Sequence, residues 1–175
     1  MSHRVTQESM GEHVETLEDL LRPGLRAICI GINPALKSAA AGHYYQGTLG
    51  QRFFERLQNA DPLPRESGWE DDLGFENGIG FTDIVKRPTR SATEVRPSDF
   101  VHGRELLRAK IEAVQPQLVI FTFKKTANAF FGPIAGTRPI QGLNLSGAPV
   151  FVMPGPFRPR NDVQARLGQL RAMLE

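Results

Sequence analysis

The residues best equipped for chemistry in this chain are three clusters of cations and one amide set in rigid backbone. Lys86-Arg87-Pro88-Thr89-Arg90, Lys124-Lys125 and Arg158-Pro159-Arg160 gather positive charge, and Asn33 stands in Gly31-Ile32-Asn33-Pro34. Grouped cations attract polyanions. An amide cannot take up a proton strongly, but it can hold a water in attack geometry. Acid collects elsewhere, in Glu66-Ser67-Gly68-Trp69-Glu70-Asp71-Asp72. The four histidines (His3, His13, His43, His102) show no metal-ligand spacing, and the single Cys29 is too few for a structural zinc site. No metal and no cofactor are therefore expected.

These groups need a scaffold, and the hydrophobic pattern supplies one. Short apolar runs alternate with helical patterns, the signature of an α/β sheet. The spacing of Val14, Leu17 and Leu21 predicts a helix over residues 9–21, ended by Pro23-Gly24, so residues 1–23 are expected to be a helical segment packed on the rest. Ala27-Ile28-Cys29-Ile30 reads as a strand buried on both faces. An irregular stretch then leads to a helix over residues 51–60, and residues 61–80 read as loop with one short helix. Phe81-Thr82-Asp83-Ile84-Val85 is a second strand, and a helix follows over residues 97–115, stopped by Pro116. Leu118-Val119-Ile120-Phe121 is a third strand, followed by a short helix over residues 124–131. Residues 137–147 are read as a hairpin, Val150-Phe151-Val152-Met153 as a fourth strand, and a last helix starts near Asp162.

Buried strands joined by helical crossovers imply a parallel sheet with helices on both faces, an α/β/α sandwich of four to five strands. Ligands bind such sheets outside the carboxyl ends of the strands. The four exits carry Gly31-Ile32-Asn33-Pro34, Asp83 with Lys86-Arg87-Pro88-Thr89, Lys124-Lys125, and Pro154-Gly155-Pro156-Phe157-Arg158-Pro159-Arg160. Basic pairs and rigid polar backbone suit an extended polyanion with a small pocket beside it. The Gly-x-Gly-x-x-Gly turn of a dinucleotide enzyme is missing.

The 175 residues fit one domain, and 40% apolar with 23% charged residues is ordinary for a soluble protein. No apolar run is long enough to cross a bilayer, and no membrane partner is expected. The polar start does not resemble a secretory signal, and one cysteine asks for no oxidising compartment. The cytoplasm is the expected location, with nucleoid association if the source is bacterial, and the chain is expected to be a monomer.

Gly31-Ile32-Asn33-Pro34-Ala35-Leu36-Lys37-Ser38, Gly42-His43-Tyr44-Tyr45 and Gly50-Gln51-Arg52-Phe53-Phe54 together resemble the mismatch-specific uracil/thymine DNA glycosylases. Gly78-Ile79-Gly80-Phe81-Thr82-Asp83-Ile84-Val85-Lys86-Arg87-Pro88-Thr89 and the Val152-Met153-Pro154 that ends the last strand continue the match in order. The resemblance implies a uracil-glycosylase fold and hydrolysis of the bond between a damaged base and its deoxyribose in mispaired duplex DNA. It places Asn33 where the attacking water is held, with Asp83 near the base pocket. Tyr45 matches the residue on which the flipped base stacks, and Ile32, Ala35 and His43 flank that pocket. Residues 155–161 match the loop that enters the duplex.

The chemistry fits these roles. A base inside a duplex must rotate out of the stack, at a cost of a few kcal/mol that falls for mispairs. Lys37, Ser38, Arg87 and Lys124 are candidate phosphate clamps. Phe157, Arg158, Pro159 and Arg160 are candidates for the wedge. Three positions depart from the family pattern: Ala35 replaces glycine, Asp83 stands in place of Asn or Lys, and Gly155-Pro156-Phe157 replaces a serine-rich loop. A carboxylate at residue 83 would repel an anionic leaving base unless it is protonated, accepts an N–H from the base, or activates water. Two other readings stay open: a lesion-binding protein of the same fold with little turnover, and a nucleotide-binding enzyme acting on small phosphate esters.

Overall fold

A computed structural model describes residues 1–61, 68–133 and 143–175. The chain opens with an antiparallel hairpin of β1 (Arg4–Ser9) and β2 (Glu12–Leu17). This corrects the helix expected over residues 9–21. Val14 and Leu17 fit a helical period, but the buried Thr16 between them completes an alternation that its polarity conceals. Met10 and Gly11 both take positive φ, 53° and 80°, as a two-residue hairpin turn requires. The Thr16 hydroxyl donates to the Lys86 carbonyl at 2.5 Å, so its burial is hydrogen-bonded.

The main sheet contains β3 (Ala27–Gly31), β4 (Ile79–Asp83), β5 (Val119–Phe121), β6 (Asn144–Leu145) and β7 (Ala148–Val152), in the order β4-β3-β5-β7-β6. Pairings among β4, β3, β5 and β7 are parallel, and β6 adds a short antiparallel edge. The hairpin expected over residues 137–147 lies partly outside the described residues; Ser146 and Gly147 form the turn between β6 and β7.

Helices cover both faces. On one side α2 (Thr48–Ala60) and α6 (Arg160–Leu174) set Phe53, Leu57, Leu167 and Leu170 against Cys29, Phe81, Ile120 and Phe151. On the other, α4 (Pro97–Val114) and α5 (Lys124–Phe131) set Leu107, Ile111, Ala127 and Phe130 against Ile28, Ile30, Phe121 and Val152. Successive strand residues thus point into opposite cores, which is why the strands read as continuous apolar runs. Two short helices, α1 (Leu36–Ala41) and α3 (Glu70–Glu76), lie between β3 and β4. The former falls in the stretch expected to be irregular. Among the described residues, no helix is long and apolar enough to cross a membrane.

The crossover from β3 to β4 and the one from β4 to β5 place strands on opposite sides of β3. Its carboxyl end is therefore a topological switch point, where a crevice opens. The β4 exit is pinned to α4 by Gly103, whose added Cβ would overlap the Ile84 carbonyl. Backbone cannot swing aside as a side chain can. Gly103→Ala is expected to destabilise the protein by roughly 1–3 kcal/mol, more than the roughly 0.5–1 kcal/mol gained in helix propensity. A lowered midpoint in denaturant unfolding would show it.

Candidate active site

The parallel ladder of β3 and β4 continues past both strand ends and sets the site. Ile84 N–H donates to the Gly31 carbonyl at 2.9 Å, Val85 N–H to Ile32 at 2.8 Å, and Thr89 N–H to Pro34 at 3.2 Å. Residues 31–35 and 84–89 thereby run side by side as one rigid floor. Above it lies a cavity of about 600 Å³ lined by Gly31, Ile32, Asn33, Ala35, Ser38, Tyr45 and Asp83, with Lys125 and Phe157 among its outer residues. Its volume is that of a small-molecule site.

Asn33 is held in one orientation. Its Nδ2 donates to the Arg87 carbonyl at 2.8 Å and to Thr89 Oγ1 at 2.8 Å. A carbonyl can only accept, so the nitrogen must face it. The Thr89 hydroxyl spends its own proton on the Ser91 carbonyl at 2.7 Å, so it too must accept from Asn33. Both amide N–H groups are engaged, which leaves Oδ1 as the acceptor available to a water.

Asp83 is the anomaly of the cavity. It is 2% exposed, and neither carboxylate oxygen has a hydrogen-bond partner. Burial pushes its pKa up to about 7, with the Lys86 ammonium opposing the shift and Asp19 adding to it. A buried carboxyl without a partner is costly unless it is protonated or meets a ligand. The glycine before the Asn33 motif makes room for it: a Cβ on Gly31 would overlap Asp83 Oδ1 and come within 2.9 Å of the Tyr45 ring.

Beside β4, next to the Leu20 that pairs with Phe81, Asp19 bridges two cations, with Lys86 Nζ at 2.7 Å and Lys110 Nζ at 2.5 Å. Burial would raise Asp19, but the two ammonium groups outweigh it and hold its carboxyl below the ordinary range. Thr82 Oγ1 also donates to Asp19 at 2.7 Å. The charges beside β4 are therefore mutually engaged, whereas Asp83, a residue of the cavity lining, has no partner.

Tyr45 forms another wall. Its hydroxyl lies 3.2 Å from each of the Cys29 and Thr82 carbonyls, which share its single proton, and its ring meets Phe53 edge to face at 5.4 Å. The residue takes a positive φ of 57°, and Gly50 approaches its backbone so closely that a Cβ would overlap the Tyr45 carbonyl. Ser38 is buried in the wall and accepts from the Gln46 N–H at 2.9 Å.

Several expected roles change. His43 does not line the cavity; it is buried elsewhere, with Nδ1 2.9 Å from Asp71 Oδ1. Its pattern neighbour Tyr45, which itself takes a positive φ, lines the cavity instead. Arg87 is not a free clamp, since its guanidinium donates to Asp99 at 2.5 Å. Its contribution to the site is the main-chain carbonyl that fixes Asn33. Lys37 and Lys124 are exposed and lie outside the cavity lining, while Lys125 contributes to it.

The loop after β7 is held from α2, by residues that sequence reasoning left without a role. Arg56 Nη1 donates to the carbonyls of Pro154 and Gly155, and Arg52 donates to Pro156 at 3.4 Å while its guanidinium lies 5.8 Å from the Phe157 ring. The four-residue spacing of Arg52 and Arg56 on one helix face was the available signal. Phe157 is 86% exposed at the rim. Arg158 is half-buried, and Pro159 and Arg160 are exposed at the start of α6. The assembled chemistry is a fixed amide acceptor, a lone carboxyl and an aromatic wall in one cavity, with an apolar side chain projecting at its mouth. Residues 18–166, most of the chain, match the family described as the Uracil DNA glycosylase superfamily.

Proposed function

The chain belongs to the uracil DNA glycosylase superfamily, and we propose that it is a monofunctional glycosylase that removes uracil from DNA, best where the uracil is mispaired with guanine. The observation that carries this reading is the fixed Asn33 amide, whose Nδ2 is spent on two bonds and which lines the same cavity as the unpartnered Asp83. Oδ1 accepts a hydrogen bond from the attacking water and points that water's lone pair at the sugar carbon. Orientation of this kind replaces the general base that an amide cannot supply. As the bond to the base breaks, positive charge builds on the sugar and the base departs as an anion; the water oxygen bonds to the sugar carbon, and the proton it sheds passes to the departed base or to solvent.

Protonated, Asp83 offers an O–H donor to a carbonyl of the base and adds no negative charge against the leaving anion. This favours one resolution of the departure at this position: the neutral carboxyl is the working form. Tyr45 supplies the face on which the extruded base stacks, worth roughly 1–3 kcal/mol. Ile32 and Ala35 close the floor, the methyl of Ala35 narrowing the space for bulkier bases.

Incubation with a labelled duplex containing one G·U pair, followed by alkali, tests the reading. Strand breakage at the uracil is the expected result. Tight binding without breakage would replace it with a lesion-binding function, and absence of both would remove DNA as the partner.

Phe157 fills the gap left by the flipped nucleotide, with Arg158, Pro159 and Arg160 beside it and Ser38, Lys37 and Lys124 near the phosphates. Unstacking a paired base costs a few kcal/mol, which a single strand does not incur. Phe157→Ala is therefore expected to slow excision from duplex roughly tenfold while changing excision from single-stranded DNA little. Parallel time courses on the two substrates measure the difference.

A further inference from the structure

Away from the cavity, three distant stretches bring four ligand-type side chains together. His3 precedes β1, His43 lies in the segment leading to Tyr45, and Asp71 and Asp72 lie in the first turn of α3. One nitrogen or oxygen from each lies within 4.8 Å of the others. His3 Nε2 is 2.6 Å from Asp72 Oδ1, and His43 Nδ1 is 2.9 Å from Asp71 Oδ1. The two imidazole rings meet edge to face at 5.2 Å. Asp71 is fully buried, His43 is 2% exposed, and the other two are partly covered.

We propose that His3, His43, Asp71 and Asp72 form a binding site for one divalent transition-metal ion of the zinc type. The donor set selects the class. Two imidazoles and two carboxylates suit zinc or a similar borderline ion, whereas magnesium and calcium take oxygen ligands almost alone. Charge supports the same class. With neutral imidazoles the two carboxylates carry two negative charges; the Met1 ammonium meets Asp72, and the charge of the buried Asp71 is left for the ion. The recorded ion-pair partner of the buried Asp71 is His43, with no lysine or arginine among the described residues paired to it.

Ligand separations need to change by about 1.5 Å at most, because none exceeds 4.8 Å. A tetrahedral ion with bonds of about 2.0–2.1 Å separates its ligands by about 3.3 Å. The two His–Asp pairs therefore open by well under 1 Å as the shared protons leave. Asp71 is already oriented, because its Oδ2 accepts the Tyr44 N–H at 2.8 Å and its Oδ1 accepts the Asp72 N–H at 3.0 Å. Asp72 Oδ2 accepts from the Met1 amine at 2.8 Å, which leaves Oδ1 facing His3. Bound there, the ion ties the start of the hairpin and α3 to the segment that ends in Tyr45. Its role is structural, and it stands independently of the reaction proposed for the cavity.

Trp69, the chain's single tryptophan, reports on the site directly. Its ring stacks on His43 at 4.1 Å and 11°. The full chain, produced without a polyhistidine tag and freed of metal by chelator, is titrated with zinc while tryptophan emission is followed. A change that saturates at one ion per chain, with a rise in melting temperature, is expected. Cobalt should give the intense visible absorption of a tetrahedral site. His3→Ala and Asp72→Asn, at the partly exposed side of the cluster, should keep the fold by circular dichroism and weaken binding by roughly 100-fold or more. Emission that does not saturate at one equivalent, or binding as tight in both variants as in the unsubstituted chain, would overturn the proposal.

Discussion

Replacing Asn33 by alanine should lower uracil excision by roughly 100- to 1,000-fold, with little change in DNA affinity or melting temperature. The substitution removes an amide acceptor whose direction is settled by two bonds, to the Arg87 carbonyl and Thr89 Oγ1. It leaves the stacking wall and the rim intact, so substrate still enters. Single-turnover rates separate the two quantities, because binding and release do not enter them. Thr89→Val removes one of the two anchors and keeps Oδ1, so its loss should be clearly smaller. A full-sized loss in Thr89→Val alone would mean that the hydroxyl, not the amide, holds the water. Unchanged excision in Asn33→Ala would reject the mechanism outright.

The second large effect concerns pH. Asp83 has its pKa raised to about 7 by burial, so its carboxyl is neutral below that value and charged above it. If the neutral form is the working one, excision falls as pH rises through about 7. Near pH 8 roughly a tenth of the molecules remain protonated, a loss of about tenfold. Asp83→Asn is neutral at every such pH and keeps an N–H donor. Its rate should be flat across the range and overtake the unsubstituted protein above pH 8. A rate that climbs through pH 7 and collapses in Asp83→Asn would instead assign water activation to the carboxylate.

Stability carries the same sign. The folded state holds its proton to a higher pH than the unfolded chain, so stability is fullest below the unfolded value near 3.8. It declines as pH rises from there and has lost Asp83's full contribution above about 7. Asp83→Asn should therefore be more stable than the unsubstituted protein above pH 7 and indistinguishable near pH 3.5. Melting temperatures at the two pH values test this.

Much of the fold was legible because burial on both faces leaves a local mark. Ile28, Ile30, Ile120 and Phe151 lie in unbroken apolar runs, and α4 begins at Pro97, as its helix-start chemistry implies. The N-terminal hairpin was not legible. Its inward face includes Thr16, a polar residue whose burial depends on a carbonyl seventy positions away. No local period reports such a partner. The role of Arg87 was hidden for the same reason, since its guanidinium pairs with Asp99 and its carbonyl is what holds Asn33.

The sequence by itself determined the alternating strand and helix plan, the strand exits as the place of chemistry, and Asn33, Tyr45 and Asp83 as residues of one site. The plan, the exits and the places of Asn33 and Asp83 follow from periodicity and from the rule that parallel strands point their carboxyl ends to one edge, whereas Tyr45 enters through the family resemblance. Tertiary structure alone decided how each group is poised. It turned the Asn33 amide by pairing residues 31–35 with 84–89, left Asp83 buried without a partner, and drew His43 out of the cavity to meet His3 and Asp71. Orientation, desolvation and convergence depend on atoms far apart in the chain, and these are the quantities that set reactivity.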